Sequence, residues 1–73
     1  MKSIRFDVFG RSVLVVGSGD SWKAYYVGAE GKRRPATDIV IPTGTREAGL
    51  VEYLDDLCHE WANERNNRVT RLD

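Results

Sequence analysis

The chain has 73 residues, a single cysteine, a single histidine and a formal charge of zero at neutral pH. A chain this short buries only about 60% of its unfolded surface on folding, so one core and one domain are expected over residues 1–73. Cys58 has no second cysteine to pair with, and with His59 alone beside it cannot complete a structural zinc site, which leaves tight packing or self-association as the source of stability.

Charges at Lys2, Arg5 and Asp7 break up the start of the chain, whereas a secretory signal needs an apolar stretch of roughly seven residues or more. The longest aliphatic run, Val13 to Val16, falls far short of the ~18 residues of a membrane span. A cytoplasmic protein is the expectation, and the sparse cysteine agrees with it. Zero net charge conceals an asymmetry: residues 1–45 carry seven Lys and Arg against four Asp and Glu, and residues 46–73 carry four against seven. The first part is mildly basic and the second acidic.

Ile4, Phe6 and Val8 alternate with Arg5, Asp7 and Phe9, the period of a strand with its first set on one face. Gly10-Arg11 suits a two-residue type II′ turn, and Ser12 to Val16 forms the returning strand, apolar on both faces. Gly17-Ser18-Gly19-Asp20-Ser21 is a cluster of turn formers before a third, aromatic-rich strand from Trp22 to Val27. Gly28-Ala29-Glu30-Gly31 turns the chain again, back through Lys32, Arg33 and Arg34 until Pro35 stops regular pairing. Ile39 to Ile41 is either an edge strand or an extended connector.

Thr43-Gly44-Thr45 supplies an N-cap, and Glu47 suits the positive end of the helix that follows over residues 46–64. Leu50, Val51, Leu54, Leu57, Cys58 and Trp61 make one apolar stripe at helical spacing, with Glu52, Asp55, Asp56, His59, Glu60 and Asn63 opposite. Asn66-Asn67 tolerates left-handed geometry and ends the helix, and Arg68 to Leu72 extends as a last strand. The expected fold class is α+β, in the order β-β-β-(β)-α-β: a three- to four-stranded, mostly antiparallel meander with one long helix packed on one face.

Phe6-Asp7-Val8-Phe9-Gly10-Arg11, Ala24-Tyr25-Tyr26-Val27-Gly28, Gly31 to Ala36, Asp38 to Pro42, Tyr53-Leu54 and His59-Glu60-Trp61 together resemble a small uncharacterised bacterial family, a domain of unknown function. The likeness spans nearly the whole chain and implies no activity. A fainter similarity, resting on size and on Tyr53-Leu54-Asp55-Asp56 with Trp61, is to the MbtH-like proteins, sheet-plus-helix partners of adenylation domains in nonribosomal peptide synthesis. The Ser-Leu-Trp-Pro stretch of that family is absent, since Lys23 follows Trp22, so the likeness serves as an analogy of scale.

His59 has Asp55 and Asp56 one helical turn before it and Glu60 beside it, a grouping that could hold a divalent cation or poise a general base, against the ordinary reading of a solvated acidic face. His59-Glu60-Trp61-Ala62-Asn63 lacks the second histidine of a zinc-peptidase helix. Gly17-Ser18-Gly19-Asp20-Ser21-Trp22 has Trp where a dinucleotide fingerprint needs its third glycine, and Gly28 to Arg33 lacks the spacing of a phosphate loop. No nucleophile, base and orienting group can be assembled from one His and one Cys, so neither an enzyme nor a cofactor is expected.

Two surfaces remain. If Val13 and Val15 face the helix, then Leu14 and Val16 share the far face with Phe9, Tyr25 and Val27, an apolar patch suited to a protein partner or a homodimer. Alternatively, Lys23, Tyr25, Arg33 and Arg34 form a basic and aromatic platform for single-stranded nucleic acid. The expected role is a non-enzymatic accessory or interaction module.

Overall fold

A computed structural model describes residues 2–18, 20–28 and 30–72. The turn formers Gly19 and Ala29 lie outside the described residues. Five antiparallel strands, β1 (Lys2–Val8), β2 (Arg11–Ser18), β3 (Ser21–Val27), β4 (Arg33–Pro35) and β5 (Val69–Arg71), form one sheet in the order β4-β3-β2-β1-β5. The fold is α+β, as the patterning predicts.

The first hairpin turns one residue earlier than the glycine suggests. Val8 pairs with Arg11, so Phe9 and Gly10 are the central residues, and φ of 51° and 89° makes the turn type I′ rather than II′. The Asp7 carboxylate accepts the Gly10 N–H at 2.7 Å and secures the turn. The left-handed backbone at Phe9 breaks the strand alternation and swings its ring into the core, where it is buried edge-on to the His59 ring. Phe9 is therefore not part of the far-face patch that strict alternation assigns it to.

Residues 39–41 settle as a connector. Ile39 and Ile41 are buried while Val40 points out, 70% exposed. The expected N-cap is not made: the Thr45 hydroxyl donates to the Pro42 carbonyl instead, and the helical segment starts after Arg46 with no side-chain cap. That segment is shorter than 46–64 and in three pieces, a 3-10 turn at Glu47–Gly49, α1 at Leu50–Cys58 and a second 3-10 turn at His59–Trp61. Asn63 does the terminating expected of Asn66-Asn67, because its side-chain oxygen accepts the N–H groups of Arg65 and Asn66, both at 2.9 Å, in place of a further helical turn.

Leu50, Leu54 and Cys58 of α1 join Ile4, Phe6, Val8, Val13 and Val15 in one buried cluster. The helix packs on β1 and β5. Leu57, about 60° round the helix from Leu54, remains 42% exposed, a departure from the six-residue stripe. Glu47 does more than complement a helix end. It bonds Lys2 at 2.5 Å and Arg71 at 3.0 Å, tying the first and last strands to the start of the helical segment.

These two cations, Lys2 first, hold the Glu47 carboxyl below its ordinary value of 4.5. A depressed folded-state value means that the stabilisation is complete above 4.5 and fades as pH falls through the lower folded value. Glu47→Gln should therefore lower the midpoint of urea unfolding at pH 7 and flatten its decline in acid, measured by circular dichroism across a pH series.

Candidate functional site

The register divides the sheet residues between two faces. Phe6, Val13, Tyr26 and Arg34 are directly opposite one another across four strands on the helix side. On the other side Arg5, Leu14, Tyr25 and Pro35 form the middle row, with Ser3, Val16 and Lys23 below it and Asp7, Val27 and Arg33 above. The Leu72 N–H donates to the Arg5 carbonyl at 2.9 Å, which adds the 55% exposed Leu72 to the end of the middle row.

Leu14, Val16, Tyr25 and Val27 are therefore brought together on the face away from α1, and each is half-buried. Part of that cover is their own neighbourhood, since the Arg33 guanidinium lies 4.9 Å from the centre of the Tyr25 ring. Lys23, Tyr25 and Arg33 share this face. Arg34 does not; it points to the helix side, 5.7 Å over Tyr26, so the four-residue nucleic-acid platform loses one of its cations.

Sequence patterning missed the edge of this face. Ala36 N–H donates to the Ala24 carbonyl and Gly44 N–H to the Asp20 carbonyl, so the intervening segment arches off the edge of β3 between two pinned ends. Beneath it is a largely apolar groove of about 310 Å³, with Trp22, Tyr25, Pro35, Ile39 and Val40 among its walls. The Trp22 indole N–H bonds the Thr45 carbonyl at 2.6 Å, and its ring lies so close over Gly17 that a Cβ there would come within 2.5 Å of it. Only the glycine, visible in sequence as a turn former, hints at that approach.

On the helix, His59 Nδ1 stands 3.6 Å from Asp55 in a pair that is exposed on both sides. Among the described residues no three His, Cys, Asp or Glu side chains converge as metal ligands would. Cys58 is buried and unpaired, and burial pushes its thiol up. A second polar cluster joins the helix side of the sheet to the connector: Tyr26 donates to Asp38 at 2.7 Å, its ring meets Trp61 at 6.2 Å, and Arg11 stacks on Trp61 at 4.2 Å. Burial and then the bond to the Asp38 carboxylate push the Tyr26 hydroxyl up to about 12.

A small α+β domain with one clothed and one open sheet face is the class of protein this geometry defines. Within it, the chain belongs to the family described as domain of unknown function DUF7661, whose model matches residues 3–73. No curated protein and no solved structure matches the chain. No helix among the described residues is long and apolar enough to cross a membrane.

The raised Tyr26 value gives a spectroscopic handle. Stability from its neutral hydroxyl is complete below the ordinary value of 10 and is lost as pH rises through about 12. Ultraviolet titration should show a tyrosinate step near 12 in the wild type that vanishes in Tyr26→Phe.

Proposed function

We propose that this protein is a non-enzymatic interaction module of the cytoplasm whose binding surface is the open face of its sheet. The observation that supports the reading is the middle row across that face, where Leu14, Tyr25 and Pro35 on one side and Leu72 on the other flank Arg5, with Lys23 in the row below and Arg33 and Asp7 in the row above. A single helix covers one side of a sheet only, and an apolar row on the other side gains free energy whenever a partner removes it from water. Cations around an apolar centre favour a partner that pairs carboxylates with apolar side chains.

Single-stranded nucleic acid is the alternative partner, since Lys23, Tyr25 and Arg33 do share a face and could combine phosphate contact with base stacking. A neutral chain with a pI near 6.6 favours protein over nucleic acid.

A photo-crosslinking amino acid placed at Val16 or at Val27 in cells should give discrete protein adducts, and the same group at exposed Asn67 should not. Equal yields at all three positions would contradict the reading. Oligonucleotide binding that appears at low salt and disappears at moderate salt, with no protein adducts, would transfer the face to the nucleic-acid alternative.

A further inference from the structure

The surface outside the sheet face carries its own complement. Leu57 is 42% exposed on α1 with Asp56 next to it, Tyr53 one turn before and Glu60 three residues on. Val40, 70% exposed, adjoins the same flank, because the Tyr53 hydroxyl donates to the Val40 carbonyl. The exposed helix residues Glu52, Asp56 and Glu60 make no ion pair among the described residues, and neither does Lys23 on the sheet face. One surface is thus an apolar projection among carboxylates, and the other an apolar row that carries Arg5 and lies between Lys23 and Arg33, with Asp7 as its one carboxylate.

We infer that the occupant of the open sheet face is a second copy of this chain, docked head to tail through its Leu57 flank with Asp56 and Glu60 toward Lys23 and Arg33. This rests on the reading of the open sheet face as the binding surface. The charge distribution selects this arrangement over the symmetric one. Two sheet faces packed together would bring Arg5, Lys23 and Arg33 of both copies into one interface with only the two Asp7 carboxylates to offset them, and like charges across an interface are costly. Sheet against helix pairs opposite signs and buries Leu57 on the Leu14–Tyr25 row. The contact uses two different patches, so each copy in a pair keeps one of each free, and growth continues into a ring or an open chain.

The test uses the full chain and two charge-altered variants, Leu57→Glu and the double variant Lys23→Glu with Arg33→Glu, all at exposed or rim positions. Sedimentation velocity at low salt should show wild-type oligomers beyond the dimer that grow with concentration and dissolve as salt rises. Each variant alone should remain monomeric with an unchanged circular dichroism spectrum. Mixed in equal amounts, they should form one-to-one dimers and nothing larger, because Leu57→Glu still presents an intact sheet face and the double variant an intact helix flank.

A wild type that stays monomeric at millimolar concentration overturns the inference. So does a mixture that stays monomeric, or a variant that still associates alone. In each of those cases protein adducts at Val16 and Val27 that contain a different protein would preserve the binding-face reading, while absence of adducts would end both.

Discussion

The packing of Leu50, Leu54 and Cys58 over the sheet is the interaction on which the other features depend, because these three residues are the buried side of the nine-residue α-helix and join it to the core of the five-stranded sheet. With Phe9, Ile39 and Ile41 in the same cluster, Ile4, Phe6, Val13 and Val15 are at 1% exposure or less. The helix is too short and poorly capped to stand alone, since isolated helices under about 12 residues are marginal in water. The Glu47 bridges to Lys2 and Arg71 and the Tyr53 bond to the Val40 carbonyl hold it in place. Covering one face so completely leaves the opposite face to whatever its own side chains and a partner can provide.

The basic and acidic parts of the chain gain spatial meaning from this arrangement. Lys23 and Arg33 belong to strands of the sheet, and Glu52, Asp56 and Glu60 to the helical segment on the other side of it. A layered domain with opposite charge on its two outer sides is a polar object. The proposed contact with a second copy is accordingly sequential rather than symmetric and is expected to weaken with salt.

The meander, the division of β2 between two faces and much of the core were legible where a local rule and the tertiary context agree, whereas the pairing of β5 with β1 and the face that the helix covers were not. Val13 and Val15 against Leu14 and Val16 needed only the period of two, and Leu50, Leu54 and Cys58 only the period of a helix. Phe9 was not legible, because a left-handed residue before Gly10 reverses a side chain that alternation places outside. Thr45 and Asn63 were misplaced for a related reason: short polar side chains serve several backbone groups, and their choice of Pro42 and of residues 65 and 66 depends on the path of the chain. Arg34 fell on the opposite face from Arg33 by simple alternation once β4 existed, but three basic residues in a row carry no sign of where a strand begins. The groove beside β3 is made by two hydrogen bonds of an irregular segment, and such a segment leaves no period to read.

The central claim is the proposed docking of the open sheet face on the Leu57 flank of a second copy, and nuclear magnetic resonance on dilution reads it most directly. Amide shifts of Leu14, Val16, Lys23, Tyr25 and Arg33 should move together with those of Asp56, Leu57 and Glu60 as concentration falls, while those of Val13 and Val15 stay still. Shifts that cluster instead around Phe9, Arg11 and Trp61, or none at any concentration, would contradict the account.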